Sequence, residues 1–398
     1  MAGDFARLKL RFNPFEPAAS GMPIIPTVDR RPWIPERWKS PLQRFLDEMQ
    51  HTRGTKAFAI LGEYGSGKTY LLRWLEREEL PQRRIRAFFF DNPGVQFYDL
   101  ANALMRQLGR EEFAKALWEF LGPRLQGFQP SLFGDSFQEW LRAVKKYRRE
   151  DDAIRQLSQK IREKGIADDE EIRHKLARLI VETYEQPYFQ YKDFVAGRRG
   201  SLVPEKEEAP YFAAILRALR LTGGAESVAF LIDEFEEVSL QKRLTKRQAH
   251  EYLATMKRLI NLTEREQFWI FVAMTPQAAE ITEQLEPALW ERFISRGEHR
   301  FQIPPLNAEE AKKLVTHRLA AARIGGDSDV DSLFPFPENL VELLREDIYS
   351  SPRRLVKVCS IAVARAASED IPVPFTAEYL EQIQEELYPR PTEEAPSS

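Results

Sequence analysis

The octapeptide at residues 62–69, GEYGSGKT, constrains the fold more than any other stretch, because it matches the pattern G-x-x-x-x-G-K-[ST]. An apolar run at 57–61 precedes it and residues 70–75 have helical periodicity, so the octapeptide connects a strand to a helix. Its three glycines permit a tight turn with inward amide hydrogens, and the helix adds the positive end of its dipole. The sequence therefore predicts a phosphate-binding loop between strand and helix.

Two residues at the end of the octapeptide carry the charge and the hydroxyl that this chemistry needs. Lys68, also a candidate catalytic residue, is expected to reach the β- and γ-phosphates of a nucleoside triphosphate. The Thr69 hydroxyl is expected to ligate the Mg²⁺ ion that bridges those phosphates. The other candidate nucleotide-binding residues are the rest of the loop and the residue after it: Gly62, Glu63, Tyr64, Gly65, Ser66, Gly67 and Tyr70.

The predicted core is an α/β fold with a doubly wound parallel sheet. Near-continuous apolar runs at 57–61, 85–91, 227–232 and 268–274 are typical of parallel strands that are covered on both faces. The first two of these strands flank a helix, which indicates a βαβ unit. The stretch between the second and third strands is mainly helical and longer than a crossover requires, so we interpret it as a large helical insertion at about 109–222.

Composition changes along the chain predict four regions. Residues 1–40 are rich in proline and arginine and suit an extended N-terminal strap. Residues 41–305, which open with a predicted helix at 41–50, form the nucleotide-binding core. Residues 306–388 form a small all-α lid domain, and the polar tail at 389–398 is expected to be disordered.

Composition also sets limits on location and chemistry. The 398 residues can bury at least one full core, and no apolar run approaches the ~18 residues that cross a bilayer. Since the N-terminus lacks the order of a signal peptide, we expect no membrane association and a cytoplasmic location. The only cysteine, Cys359, excludes an internal disulfide and is expected to be a buried core thiol. The formal net charge of −3 restricts any nucleic-acid contact to local basic patches.

Two adjacent acids follow the third predicted strand. Asp233 ends the run FLIDE, where it would help to hold Mg²⁺, and Glu234 would orient and deprotonate the attacking water. Both roles need carboxylates at neighbouring positions close to the phosphates. The alternative interpretation is a strand end that carries solvated acids.

Four further residues are candidates for sensing or completing the site. Thr275 follows the fourth strand, where its hydroxyl would approach the γ-phosphate; the alternative is a threonine that begins a turn before proline. Arg292 or Arg296 would reach the nucleotide of a neighbouring subunit, unless they belong to a solvated helix face. Arg353, chosen over its neighbour in the run SPRRL, would fold back onto the β/γ-phosphates.

These motifs together resemble those of the AAA+ ATPases. The matching features are the phosphate loop (Walker A), the acidic pair (Walker B), the first sensor, the Arg-Phe segment, the Pro-Pro-Leu lid entry and the SPRRL second sensor. Within that family, the Asn-Pro-Phe start and the lid order resemble the clade of origin-recognition, TnsC and ExeA-type ATPases. The run LRALRLTGGAESVAFLIDEFEEV also resembles, more weakly, the ATP-binding proteins of BREX-type phage-defence islands. The resemblance implies ATP and Mg²⁺ as cofactors and a homo-oligomer with shared ATP sites.

Three clusters of basic residues are the candidates for contact with DNA phosphates: Lys145, Lys146, Arg148 and Arg149; Arg198 and Arg199; and Lys242, Arg243, Lys246 and Arg247. The first cluster is followed at once by acids, which favours a self-compensating solvated face. The third follows the acidic pair directly and is the best DNA candidate.

The sequence thus predicts an ATP-hydrolysing AAA+ protein that acts as an oligomeric switch or remodeller on DNA or DNA-bound partners, in transposition, replication or phage defence. The alternative is a slowly hydrolysing signalling ATPase that binds protein partners rather than DNA. Stimulation of ATP turnover by duplex DNA would distinguish the two.

Overall fold

The computed structural model describes residues 5–16, 32–50, 54–91, 94, 97–122, 125–183, 190–195, 209–235, 245–294, 299–324 and 332–390. The predicted tail beyond residue 390 and parts of the predicted strap, 1–4 and 17–31, lie outside the described residues. So do five of the candidate basic residues: Arg198, Arg199, Lys242, Arg243 and Arg296.

The described residues form a five-stranded sheet in the order β2-β3-β4-β1-β5. Its strands are β1 Ala57–Leu61, β2 Ile85–Phe90, β3 Ser227–Ile232, β4 Phe268–Met274 and β5 Arg300–Gln302. The pairs β2/β3, β3/β4 and β4/β1 are parallel, with Leu61 opposite Met274 and Ile232 opposite Val272. The carboxyl ends of β1, β4 and β3 therefore lie next to one another.

Helices occupy most of the remaining described chain, after a short 3-10 helix at Ala6–Leu8. Before β2 they are α1 Glu36–Gln50, α2 Lys68–Trp74, which continues as a π-helical segment Leu75–Glu79, and α3 Leu80–Gln82. Between β2 and β3 they are α4 Phe97–Leu108, α5 Arg110–Leu121, α6 Pro130–Phe133, α7 Phe137–Lys146, α8 Glu150–Glu163, α9 Glu170–Val181, α10 Tyr191–Val195 and α11 Pro210–Thr222. Between β3 and β5 they are α12 Lys246–Arg265, α13 Pro276–Leu285 and α14 Pro287–Ile294. After β5 they are α15 Ala308–Ala322, α16 Leu340–Leu343, α17 Glu346–Tyr349, α18 Pro352–Ser368 and α19 Ala377–Leu387.

Every residue of β1, β3 and β4 is buried, because helices cover both faces of the sheet. On one face Phe230 packs against Phe212 of α11, with ring centroids 5.9 Å apart. On the other face Phe58 and Trp269 pack against Phe45 of α1, at 4.8 and 5.8 Å. Side chains that alternate along a strand thus find an apolar partner on either side, which explains why these strands are continuous apolar runs.

These features confirm the predicted α/β class, with a parallel sheet, a large helical insertion between β2 and β3 and an all-helical segment after β5. The aromatic residues of the insertion pack with one another, as expected for its own core. Trp118 lies 5.7 Å from Trp140, and Phe128 lies 4.7 Å from Phe133, measured between ring centroids. All four side chains are buried.

The first long helix begins earlier than the sequence predicted. We expected a helix at 41–50, whereas α1 begins at Glu36 and contains Pro41. The buried positions Trp38, Leu42 and Phe45 recur every three or four residues, so the apolar face of the helix is already established before the proline. Packing of that face outweighs the hydrogen bond that Pro41 cannot donate.

The chain divides into two compact units, one formed by residues 1–42, 62–77 and 302–398 and the other by residues 43–61 and 78–301. The first unit contains the glycine loop, α15 and α18, whereas the second contains β1 to β4 and the helical insertion. Cys359 is fully buried and reduced, and burial raises the pKa of its thiol, which confirms a core thiol. Within the described residues, no helix combines the length and the apolar composition that crossing a membrane requires.

Candidate nucleotide-binding site

The glycine loop leads from the end of β1 into α2 through two left-handed residues. Gly65 has φ of 82° and Gly67, the N-cap of α2, has φ of 103°. Glycine adopts this conformation without the steric cost that a Cβ atom brings. The loop therefore ends at a helix N-terminus, which is a favourable place for a phosphate group.

Lys68 is folded over this loop. Its side chain is buried, and Nζ donates hydrogen bonds to the carbonyl oxygens of Gly62 at 2.9 Å and Glu63 at 3.3 Å. In the same loop, the buried hydroxyl oxygen of Ser66 has no hydrogen-bond partner among the described residues. The loop thus brings a positioned ammonium group and a hydroxyl donor to one place, and both groups suit a phosphate ligand.

The first turn of α18 lies against the loop. The Arg353 amide donates a hydrogen bond to the carbonyl oxygen of Gly65 at 3.3 Å, and the Arg353 guanidinium carbon lies 4.2 Å from the ring centroid of Tyr64. A Cβ atom added to Gly67 would lie 3.0 Å from the Trp38 ring and 3.8 Å from Pro352. The loop is therefore closely packed between α1 and α18.

The two adjacent arginines of α18 have different surroundings. Arg354 donates to a carboxylate oxygen of Asp347 at 2.7 Å, and its guanidinium carbon lies 5.2 Å from the Tyr388 ring centroid. The carboxylate of Asp347 neutralises Arg354, whereas Arg353 is the arginine of this pair that contacts the glycine loop.

A buried arginine that the sequence did not single out contacts the residue after the loop. Arg318 of α15 donates to the Tyr70 hydroxyl at 3.0 Å and to the Pro14 carbonyl at 3.1 Å. Asn13, the residue before this proline, donates to the Ser360 carbonyl at 3.0 Å. Arginine is rarely fully buried. An arginine on the apolar face of α15 was therefore the sequence signal that could have indicated a structural role for Arg318. Its long-range partners have no local signature.

The acidic pair follows β3 in the second unit. Asp233 is buried, its amide donates to Phe90, and its carboxylate oxygen Oδ1 accepts from the Glu234 amide at 3.0 Å. Glu234 is exposed and has φ of 52°, a left-handed conformation that is strained for a non-glycine residue. Phe235 is again fully buried against Tyr252. The backbone therefore directs Glu234 outwards while both of its neighbours stay inside.

Thr275, after β4, caps a helix. Its Oγ1 accepts a hydrogen bond from the Ala278 amide at 3.2 Å and so begins α13. The hydroxyl hydrogen is not used by this contact, since a hydroxyl can donate and accept at once. Capping and a sensing role are therefore compatible at this position.

Arg292, on α14, contacts α12. Its Nη1 donates to Asn261 Oδ1 and lies 3.5 Å from Glu264 Oε1. Arg296, the other candidate for an arginine finger that reaches a neighbouring subunit's nucleotide, lies outside the described residues.

Comparisons with known proteins give weak structural similarities. No protein-family model matches the chain, and no curated protein matches it. The ORC2 protein of Aeropyrum pernix in its ADP form is 11% identical, with a TM-score of 0.43 over 90% of this chain and 71% of that chain. The ADPNP-ADP complexes of the same protein give 12% identity and a TM-score of 0.44 over 91% and 71%. Cdc6p of Pyrobaculum aerophilum gives 11% and 0.36 over 87% and 65%.

Proposed function

We propose that the chain binds ATP with Mg²⁺, hydrolyses it, and uses the cycle as an oligomeric switch or remodeller. The observation that supports this most is the convergence of Lys68 and Arg353 on one glycine loop. Two cations at a loop that ends in a helix N-terminus favour a polyphosphate ligand. The proposed domain organisation is the one predicted from the sequence: a strap at 1–40, a nucleotide-binding core at 41–305, a lid domain at 306–388 and a tail at 389–398.

The acidic pair is proposed to act on the same nucleotide. β1, β4 and β3 are neighbours in the sheet, and the residues that follow them are Gly62, Thr275 and Asp233. Ligands of open parallel sheets bind beyond the carboxyl ends of the strands. On the pattern of these sequence motifs, we propose that the loop, the threonine and the acids serve one nucleotide.

Each side chain then has a definite role. The Thr69 hydroxyl and the Asp233 carboxylate are oxygen donors of the kind that Mg²⁺ prefers, and the ion would neutralise charge on the phosphates. Lys68 and Arg353 stabilise the transferred phosphoryl group. Glu234 orients the attacking water and accepts its proton. Thr275 is proposed to contact the γ-phosphate with its remaining hydroxyl hydrogen.

We further propose that subunits of a homo-oligomer share these sites, with Arg292 or Arg296 reaching a neighbour's nucleotide. For Arg292, this would require that the guanidinium leave Asn261 and Glu264 of α12. Hydrolysis would then depend on assembly, because the arginine from the neighbouring subunit stabilises charge in the transition state. An ATP-dependent cycle of this kind fits the cytoplasmic location expected from the sequence.

The proposed partner is DNA or a DNA-bound protein, as in replication, transposition or phage defence, with the third basic cluster as the contact. Protein partners are the second candidate, and the charges of the first cluster favour them over DNA. Arg149 pairs with Asp152 and lies 4.8 Å from the Phe128 ring centroid. A charge already compensated in this way attracts DNA phosphates less. In the third cluster Arg247 also pairs with Glu251, at 3.0 Å, but the Arg247 side chain is 88% exposed, so a DNA phosphate can replace the glutamate.

Two measurements test this proposal. Lys68→Ala should abolish ATP hydrolysis, and an unchanged rate in that variant would refute the assignment of the loop. Duplex DNA should stimulate turnover and increase the sedimentation coefficient of the parent protein. If DNA changes neither quantity while a protein partner changes both, the signalling alternative replaces the DNA proposal.

A further inference from the structure

The third residue of the glycine loop is an aromatic side chain that folding alone does not explain. Tyr64 is 74% exposed, so its ring contributes little to a core. Its ring instead faces the guanidinium of Arg353, at 4.2 Å from centroid to Cζ. This distance is well within the ~6 Å over which a cation and an aromatic face attract each other.

The Arg353 guanidinium makes no hydrogen bond or ion pair with the described residues. A planar guanidinium has a face, which can stack on a ring, and an edge with five N–H donors. A cation–π contact uses none of these donors, so they remain for phosphate oxygens. A carboxylate partner would occupy the edge and neutralise the charge, as Asp347 does for Arg354.

The backbone fixes the same contact from the other side. The Arg353 amide donates to the carbonyl of Gly65, the residue directly after Tyr64. Two consecutive loop residues thus hold the backbone and the side chain of Arg353. The guanidinium is restrained beside the loop with its hydrogen-bond donors still available.

We propose that Tyr64 is a positioning residue that holds Arg353 for the β- and γ-phosphates of the bound triphosphate. The inference rests on the proposed ATPase function and adds a residue-level requirement to it: an aromatic ring at the third position of the loop. Tyrosine and phenylalanine should serve equally, because the ring face rather than the hydroxyl makes the contact.

A double-mutant cycle tests the proposal. Steady-state kcat and KM for ATP are measured for the parent, Tyr64→Leu, Tyr64→Phe, Arg353→Gln and the double variant Tyr64→Leu/Arg353→Gln. Since an exposed cation–π contact is worth about 0.5–1 kcal/mol, Tyr64→Leu should lower kcat/KM by about 2- to 5-fold. Tyr64→Phe should stay within experimental error of the parent. In the Arg353→Gln background, Tyr64→Leu should have no further effect.

A matched control removes an exposed ring that also contacts a cation but belongs to the helical insertion. Tyr147 is 45% exposed, with the Lys146 ammonium 5.4 Å from its ring centroid, and Tyr147→Leu should leave kcat/KM unchanged. Thermal unfolding of each variant shows whether the fold is retained.

The possible outcomes distinguish a failure of the Tyr64 positioning role from a failure of the proposed ATPase function. If the parent hydrolyses ATP but Tyr64→Leu is equally harmful with and without Arg353, or Tyr64→Phe is as slow as Tyr64→Leu, the positioning role is wrong and the ATPase stands. If the parent binds ATP without turnover, the same cycle is run on ATP affinity and judged by the same criteria. A parent that neither binds nor hydrolyses ATP overturns both.

Discussion

Replacing Gly65 with alanine tests whether the glycine loop must stay in contact with α18 for hydrolysis. Gly65 has φ of 82°, so an alanine there is strained by roughly 1–2 kcal/mol in the folded state. The new Cβ would also lie 2.8 Å from Cβ and 2.9 Å from Cδ of Arg353. Both distances are too short for two carbon atoms that are not bonded. The nearer contact is to the Cβ atom of Arg353, which side-chain rotation cannot move.

The size of the effect follows from these distances. Since ordinary contacts begin at 3.4 Å, the loop and the first turn of α18 must separate by several tenths of an ångström. A misplacement of 1 Å in a catalytic group can lower the rate by about 10²-fold, so roughly half of that displacement should lower kcat by about 10-fold. The assay is steady-state kcat at saturating ATP and Mg²⁺.

Gly165 provides the matched control for backbone strain. It has φ of 68°, and a Cβ atom there meets nothing within 4 Å. Gly165→Ala should therefore lower the free energy of unfolding by a similar 1–2 kcal/mol while leaving kcat unchanged. A parent-like kcat in Gly65→Ala, or a loss of activity in Gly165→Ala as large as that in Gly65→Ala, would refute this prediction.

Three further predictions concern chemistry, stability and pH. Glu234→Gln should keep the ATP affinity and lower kcat by about 10²- to 10⁴-fold, as loss of a general base does, and a parent-like kcat would contradict this. Tyr70→Phe removes an acceptor from the buried Arg318 and should cost about 1–3 kcal/mol in urea unfolding, whereas an unchanged midpoint would exclude the contact. The hydrogen bond from Arg149 lowers the pKa of Asp152 to about 2, so its stabilisation is present above the unfolded-state pKa of ~4 and is lost as the pH falls towards 2. The thermal midpoint of Asp152→Asn should therefore approach that of the parent in acid, and a gap that widens in acid would contradict this sign.

The sheet was predictable from the sequence because its strands are buried on both faces. The runs predicted at 57–61, 227–232 and 268–274 coincide with β1, β3 and β4, and the run at 85–91 exceeds β2 by one residue. A strand of this kind needs apolar side chains at every position, so its ends are visible as the first polar or turn residues. The loop was equally clear, since left-handed residues at Gly65 and Gly67 require glycine.

The contacts that organise the loop were not predictable, because they join residues far apart in the sequence. Nothing in the local pattern around Tyr64 indicates that Arg353 stacks on it, and nothing around Tyr70 indicates Arg318. The start of α1 was misplaced because Pro41 is an ordinary helix-start signal, whereas packing of Trp38 extends the helix before it. Local pattern determines the elements, and tertiary packing determines their ends and partners.

Calorimetric measurement of ATP binding in the presence of Mg²⁺, on the parent and on Lys68→Ala, is the decisive experiment for the proposed nucleotide site. The parent should bind ATP and lose affinity when Mg²⁺ is removed, and Lys68→Ala should show at least tenfold weaker binding, the ~1.4 kcal/mol or more expected from losing a charged hydrogen-bond donor to phosphate. A Lys68→Ala protein that binds ATP as tightly as the parent, or a parent that shows no binding at all, would exclude a nucleotide site at this loop.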